Sequence, residues 1–138
     1  MNFEWNSSMA IGNEDIDNDH KYLISLIRTI DAAIKCHIQA NVLGKFVELL
    51  LIYTSVHFVR EQQYQKSIGF EESESHKVLH RDFIERLNFM KGVLAQANDD
   101  QDKYKSAVTQ FSKLMKEWWV EHILVEDSKM QVASCVQK

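Results

Sequence analysis

The chain has 138 residues, with 16 basic and 20 acidic side chains and a formal charge of −4. That length makes one domain with one sizeable core, and the charge balance, with no basic cluster, excludes a nucleic-acid footprint. The longest apolar stretch, Phe46 to Tyr53, is interrupted by Glu48 and is too short to span a bilayer, so no membrane role is expected.

With no proline and four glycines (Gly12, Gly44, Gly69, Gly92), long helices are the default. Residues 1–18 carry Phe3, Trp5, Ile11 and Ile16 without helical period and are predicted to lie as an arm across the rest. A first helix is predicted from about 19 to 37, with Leu23, Ile24, Ile27, Ile30 and Ile34 on one side and Asp17 or Asn18 as its N-cap. The second runs from about 42 to 66, with Phe46, Leu50, Tyr53, His57, Glu61 and Tyr64 in one stripe. A third, from about 73 to 96, aligns His76, His80, Phe83, Leu87, Met90 and Leu94. The fourth begins near 102 and aligns Tyr104, Val108, Phe111, Met115, Trp118 and His122. Short joints between long helices mean antiparallel neighbours. The expected fold is all-α, an antiparallel up-down-up-down four-helix bundle over about 19–126, in a single domain spanning 1–138.

Ligand-type residues recur on the apolar faces of these helices. His20 opens the first, His57 and Glu61 close the second as H-x-x-x-E, and His76 and His80 open the third as H-x-x-x-H. A four-residue step brings each such pair to one face, a turn apart. His122 closes the fourth helix, with Asp127 as H-x-x-x-x-D. Antiparallel order puts every group at the same end of the bundle. Five imidazoles, two bridging carboxylates and one bridging oxygen fill all but one position of two octahedral metals. The imidazole–carboxylate mix suits iron better than tetrahedral zinc. Asp127 is the geometric difficulty: five residues on a continued α-helix is about 140° around, so Glu126 is better placed unless the helix ends or distorts after His122.

These residues resemble the hemerythrin family, in particular its single-domain bacterial members. The likeness covers nearly the whole chain: Trp5, Ile11-Gly12 and Ile16-Asp17-Asn18-Asp19-His20-Lys21, then His57-Phe58-Val59-Arg60-Glu61-Gln62, His76-Lys77-Val78-Leu79-His80, and Trp118 through His122-Ile123-Leu124-Val125-Glu126-Asp127. The resemblance implies reversible O2 binding at a non-heme diiron centre with an oxo or hydroxo bridge, for storage, delivery or sensing, by a binding protein rather than an enzyme. It assigns His76, His80 and His122 to the saturated iron, His20 and His57 to the iron with an open position, and Glu61 and Asp127 to the bridges. In the family's reaction each ferrous ion gives O2 one electron and the bridging hydroxide gives its proton. Net charge is unchanged, so an apolar pocket can host it. The alternative is a diiron oxidoreductase acting on peroxide or nitric oxide.

Phe58, Tyr64, Trp118, Trp119 and Ile123 are expected to line the O2 pocket. Trp119 stands where relatives commonly have leucine, and it either gates the open position or is a larger core residue. Tyr64 replaces an aliphatic residue; its hydroxyl either reaches a carboxylate, water or bound O2, speeding autoxidation, or reaches the surface. Gln65 replaces a frequent methionine, with no role attached. Asp19 either accepts from a ligand imidazole or, the favoured reading, serves the helix dipole. His37 is expected to be exposed. The N-terminus lacks a basic n-region and an apolar h-region, so nothing points to secretion. Cys36 and Cys135 fit no metal or disulfide pattern and are expected as free thiols in a reducing compartment, the cytoplasm. O2 is the expected partner and the monomer the expected state.

Overall fold

Asn13 sets where the first helix begins. Its backbone is extended and its side-chain oxygen accepts from the Ile16 amide (3.0 Å), satisfying one of the donors a first turn leaves unpaired. In this computed structural model, which describes residues 4–71, 74–97, 99–119 and 122–130 and only the backbone at 123 and 124, helix α1 therefore spans Glu14–Lys35. This corrects the expected cap at Asp17 or Asn18 and the start near 19. Asp17 lies within the first turn, and its carboxylate accepts from the amides of Ile11 (2.8 Å) and Gly12 (3.3 Å). Gly12 turns the chain at φ +91°, a conformation that side chains with a Cβ resist. The arm is correspondingly shorter, and within it Ser7–Met9 form one 3-10 turn capped by Asn6.

Helix α2 spans Ala40–Ser67, α3 spans Glu74–Ala95, and α4 spans Gln101–Leu114. Two of the joints use the same device. His37 (φ 54°) follows α1 and Gly69 (φ 67°) follows α2, each in the left-handed conformation. The next amides then reach back: Ile38 N–H to the Ala33 carbonyl (3.2 Å) and Phe70 N–H to the Gln65 carbonyl (2.8 Å). Asp100 caps α4 by accepting from the amides of Asp102 and Lys103 (3.1 Å each). Past Leu114 the helix widens. Met115–Trp119 and His122–Asp127 are π-helical, and residues 128–130 resume the ordinary helix.

Each helix packs on the next in sequence, α1 on α2, α2 on α3, α3 on α4. With joints this short, the result is the expected up-down-up-down bundle. Its apolar core includes Leu23, Ile27, Leu50, Phe83, Leu87 and Phe111, all 3 % exposed or less. Burying side chains of this size stabilises the fold by about 1.5–3 kcal/mol each. The rotation of α2 differs from expectation. Its buried side runs through Leu43, Val47, Leu50, Thr54, His57, Phe58, Glu61 and Gln65, while Phe46, Tyr53 and Tyr64 are half-buried at an edge. Because α2 is apolar nearly all round, periodicity fixes its inward direction poorly. A second, smaller cluster closes the ligand end: Ile11, Ile16 and Met130, with Tyr64, Ile68 and Phe70 against them.

Candidate metal centre

His20 sits in the second turn of α1, His57 and Glu61 in the second half of α2, and His76 and His80 in the first two turns of α3. His122 and Asp127 come from the π-helical continuation of α4. All seven are buried, none more than 6 % exposed. Their ligand atoms form two groups, each drawn within 4.8 Å: Glu61, His76, His80, His122 and Asp127 in one, and His20, His57, Glu61 and Asp127 in the other. Three imidazoles on one side and two on the other share one pair of carboxylates.

Each carboxylate divides its oxygens between the two groups. Glu61 Oε2 lies 3.0 Å from His57 Nε2 and 4.0 Å from His20 Nε2, while Oε1 lies 3.3 and 3.4 Å from Nε2 of His76 and His80. Asp127 Oδ2 lies 3.0 Å from His20 Nε2, and Oδ1 lies 2.9 and 3.4 Å from Nε2 of His122 and His76. Imidazole nitrogens also converge in pairs, His20 with His57 at 3.1 Å and His80 with His122 at 3.3 Å. Among the described residues, the four buried carboxylate oxygens face imidazole nitrogens and meet no other side-chain donor. Buried acceptors in that condition call for a cation, and the all-Nε2, all-carboxylate donor set fits two of them.

The widened helix resolves the spacing of His122 and Asp127. Hydrogen bonding in a π-turn runs from residue i to i+5, so residues five apart come to one face. Asp127 is thereby fully buried at the site. Glu126, favoured by ordinary helical spacing, is half-buried and pairs with Lys129 (3.2 Å).

Asp19 departs from the favoured reading as a dipole residue. It is 1 % exposed, and Oδ2 accepts from His57 Nδ1 (3.1 Å). Oδ1 accepts from the Tyr53 hydroxyl (2.8 Å) and from Arg60 (2.5 Å). The carboxylate so held fixes the His57 ring with Nε2 toward the centre. Burial pushes Asp19 upward, but the hydrogen bonds from His57 and Tyr53 and the charges of His57 and Arg60 outweigh it, leaving it below its ordinary value. Burial likewise pushes His57 down, yet Asp19 and Glu61 raise it to about 9. His76, desolvated too, is raised to about 10 by Asp127 and Glu61. At His80 burial prevails and the shift is downward. Burial raises Glu61, but contacts with His57, His76 and His80 hold it well below the carboxylate range. Asp127, raised by burial and by Glu61, is carried below it by His122 and His20. The upward shifts of His57 and His76 and the downward shifts of Glu61 and Asp127 thus arise from the same contacts.

A profile of the hemerythrin HHE cation binding domain matches residues 11–133. The myohemerythrin of Theromyzon tessulatum is 31% identical over 127 residues, 92% of this chain and 89% of its own length. This chain belongs to the hemerythrin family. The bacteriohemerythrin of Clostridium acetobutylicum is 27% identical over 128 residues, covering 91% of this chain and 95% of its own. A hemerythrin-like protein of Naegleria gruberi is 31% identical over 127 residues, 92% and 89% of the two chains. No solved structure matches significantly.

Around this hemerythrin centre the expected pocket residues divide. Phe58 stacks on His80 (3.7 Å between centroids, 4° between planes), and Trp118 stacks on His122 (4.3 Å, 16°) while donating Nε1–H to the Leu79 carbonyl (3.2 Å). Both serve the three-histidine side. Trp119, fully buried, stands edge-on to His20 and to His122, 6.3 Å from each, and so borders both sides. Tyr64 is placed elsewhere. It is half-buried against the second cluster and lines a small cleft with Asn13, Asp15, Arg60 and Gln63. Gln65, not Tyr64, faces inward; it is 3 % exposed. The Ile123 side chain and Cys135 lie outside the described residues. His37 and Cys36 are exposed, the latter a free thiol. Tyr53 and Arg60 are the supporting residues that sequence reasoning missed. Their spacing from Glu61 and His57 gave no sign that both turn to α1.

Proposed function

We propose that this hemerythrin binds O2 reversibly at a non-heme diiron centre, as a storage, delivery or sensing protein and not as an enzyme. The observation that carries this reading is the three-and-two division of histidines across two shared carboxylates. His76, His80 and His122, with Glu61 and Asp127, would hold one iron. His20 and His57, with the same carboxylates, would hold the other and, being one imidazole fewer, would leave it room for an exogenous molecule. When bound, the two irons would supply the electrons that O2 binding requires.

The chain contributes position and dryness. Asp19 holds His57 in the tautomer that aims Nε2 at the centre. Phe58 and Trp118 wall the three-histidine side with aromatic surface and Trp119 borders both sides, all three 6 % exposed or less, which keeps bulk water from the centre.

Iron content and the visible spectrum of the reduced protein, before air, after air and after deoxygenation, test this. Two irons per chain and a charge-transfer band that appears with air and vanishes on its removal are expected. Sustained consumption of hydrogen peroxide or nitric oxide with a reductant, without a reversible band, would overturn the reading in favour of an oxidoreductase.

A further inference from the structure

Helix α2 turns a second apolar face outward. Val42, Leu49, Ile52, Val56 and Val59 are 38 %, 53 %, 56 %, 43 % and 53 % exposed. Their spacing fills the a and d positions of a heptad repeat, and Lys45 takes the remaining d position. The neighbours on either flank show that the stripe points away from the bundle. Tyr53 and Arg60 bond Asp19 of α1 on one side, and Glu48 pairs with Lys91 of α3 (3.7 Å) on the other. Tyr22 of α1, itself half-exposed and packed on Tyr53, widens the patch. These side chains offer on the order of 500 Å² of apolar surface, at the upper end of what a monomer leaves in one patch.

We propose that a second copy of this chain docks on the outward face of α2, with the two helices antiparallel across a two-fold axis near residues 50 and 51. A two-fold contact uses the same patch twice, so the patch must complement itself. In antiparallel order a faces d: Val42 meets Val59 of the second copy, and Leu49 meets Ile52. Lys45 falls opposite Val56, where its stem lies along the valine and its ammonium reaches water. Parallel order would set Lys45 against Lys45, like charges in an apolar seam. A stable contact needs roughly 800 Å² a side. The stripe with Tyr22 supplies more than half, and Ser55, Gln62 and the Arg60 stem form a polar rim.

A bilayer is the competing occupant, since α2 is 28 residues long and contains an 18-residue stretch of mean hydropathy 1.6, enough by length and composition to cross one. Its opposite side, however, carries buried His57, Glu61 and Gln65. The bases beside the stripe are Lys45 and Arg60, with Arg60 tied to Asp19, and a helix lying on a membrane surface carries a richer basic rim.

Sedimentation velocity of the iron-loaded chain across the micromolar range tests the proposal. The mass should rise with concentration from 16.2 kDa toward twice that value. Leu49→Lys with Ile52→Lys should weaken association at least 100-fold with helical circular dichroism unchanged. Phe89→Lys, at a residue 64 % exposed elsewhere, should leave it intact. In a Cys36→Ser, Cys135→Ser background, an oxidised mixture of Val42→Cys and Val59→Cys chains should give the mixed disulfide in preference to either homodimer. A mass fixed at 16.2 kDa, or association that survives the double lysine variant, would overturn the proposal. So would a predominance of homodisulfides. Flotation of a monomeric chain with phosphatidylcholine–phosphatidylglycerol vesicles, abolished by the lysines, would assign the face to a membrane instead.

Discussion

Asp19 shows what a single residue adds to a ligand it does not replace. Two neighbours on α2 hold its carboxylate, and it in turn holds His57. Asp19→Asn keeps the shape but can present an amide N–H to Nδ1, favouring the wrong tautomer. Iron affinity should fall roughly 10–100-fold, the usual effect of losing such a partner. Competition with a graded chelator measures this, and an unchanged affinity would reduce Asp19 to a helix-end charge. The sequence placed Asp19 beside a ligand, but its partners come from 34 and 41 residues away, a relation no local pattern carries. Trp119 is the other residue with a testable consequence. Its indole stands edge-on to a histidine of each group, so Trp119→Leu should open the two-histidine side. Azide binding to the ferric protein, followed by stopped flow, should speed up on the order of tenfold, equivalent to about 1.4 kcal/mol off the barrier. Tyr64→Phe should leave that rate unchanged, because the ring packs against Ile11, Ile16 and Met130.

At the scale of elements, the last helix decides whether the site closes. A regular α-helix would present Glu126 and turn Asp127 away; the π-turn reverses the two. Asp127→Asn should therefore lose a carboxylate from both metal groups, and the chain should no longer retain two irons through gel filtration. Glu126→Gln should retain both, since Glu126 meets Lys129 and not the histidines. Metal analysis of the two variants separates these outcomes, and iron loss in Glu126→Gln would place the bridge on the wrong residue. The five-residue spacing was visible in the sequence, and it demanded an end or distortion of the helix. Which of these occurs is not legible, because the spacing is the same whether the helix ends or widens after His122. The rotation of α2 was hidden for another reason: a helix apolar on most sides names no single inward face. The cap of α1 is ambiguous in the sequence because Asp17 and Asn18 are good capping residues, while Asn13 precedes them with Gly12 to make the turn.

Across the whole molecule the order of helices and the clustering of all ligands at one end followed from alternation alone, since ligands that open and close successive antiparallel helices must meet. That assembly makes fold stability depend on what fills the centre. In the metal-free chain His57 and His76 are raised from 6.5 to about 9 and about 10. The folded state thus holds those protons more tightly than the unfolded chain. Their stabilisation is complete below about pH 6.5 and is lost as pH rises through 9 to 10. Glu61 and Asp127, lowered from 4.5 and 3.8, contribute in the opposite direction, and their share is lost as pH falls below those values. The metal-free chain should be most stable in mildly acidic solution. Bound metal takes the place of the protons, so the loaded chain keeps its stability on the alkaline side and loses it in acid, where protons compete for imidazole. The difference in unfolding midpoint between loaded and metal-free chain should widen steadily from pH 6 to 9, at about 3–5 °C for each 1 kcal/mol in a domain of this size. Thermal unfolding across that range measures it, and a difference independent of pH would mean that the imidazoles carry no protons for the metal to displace.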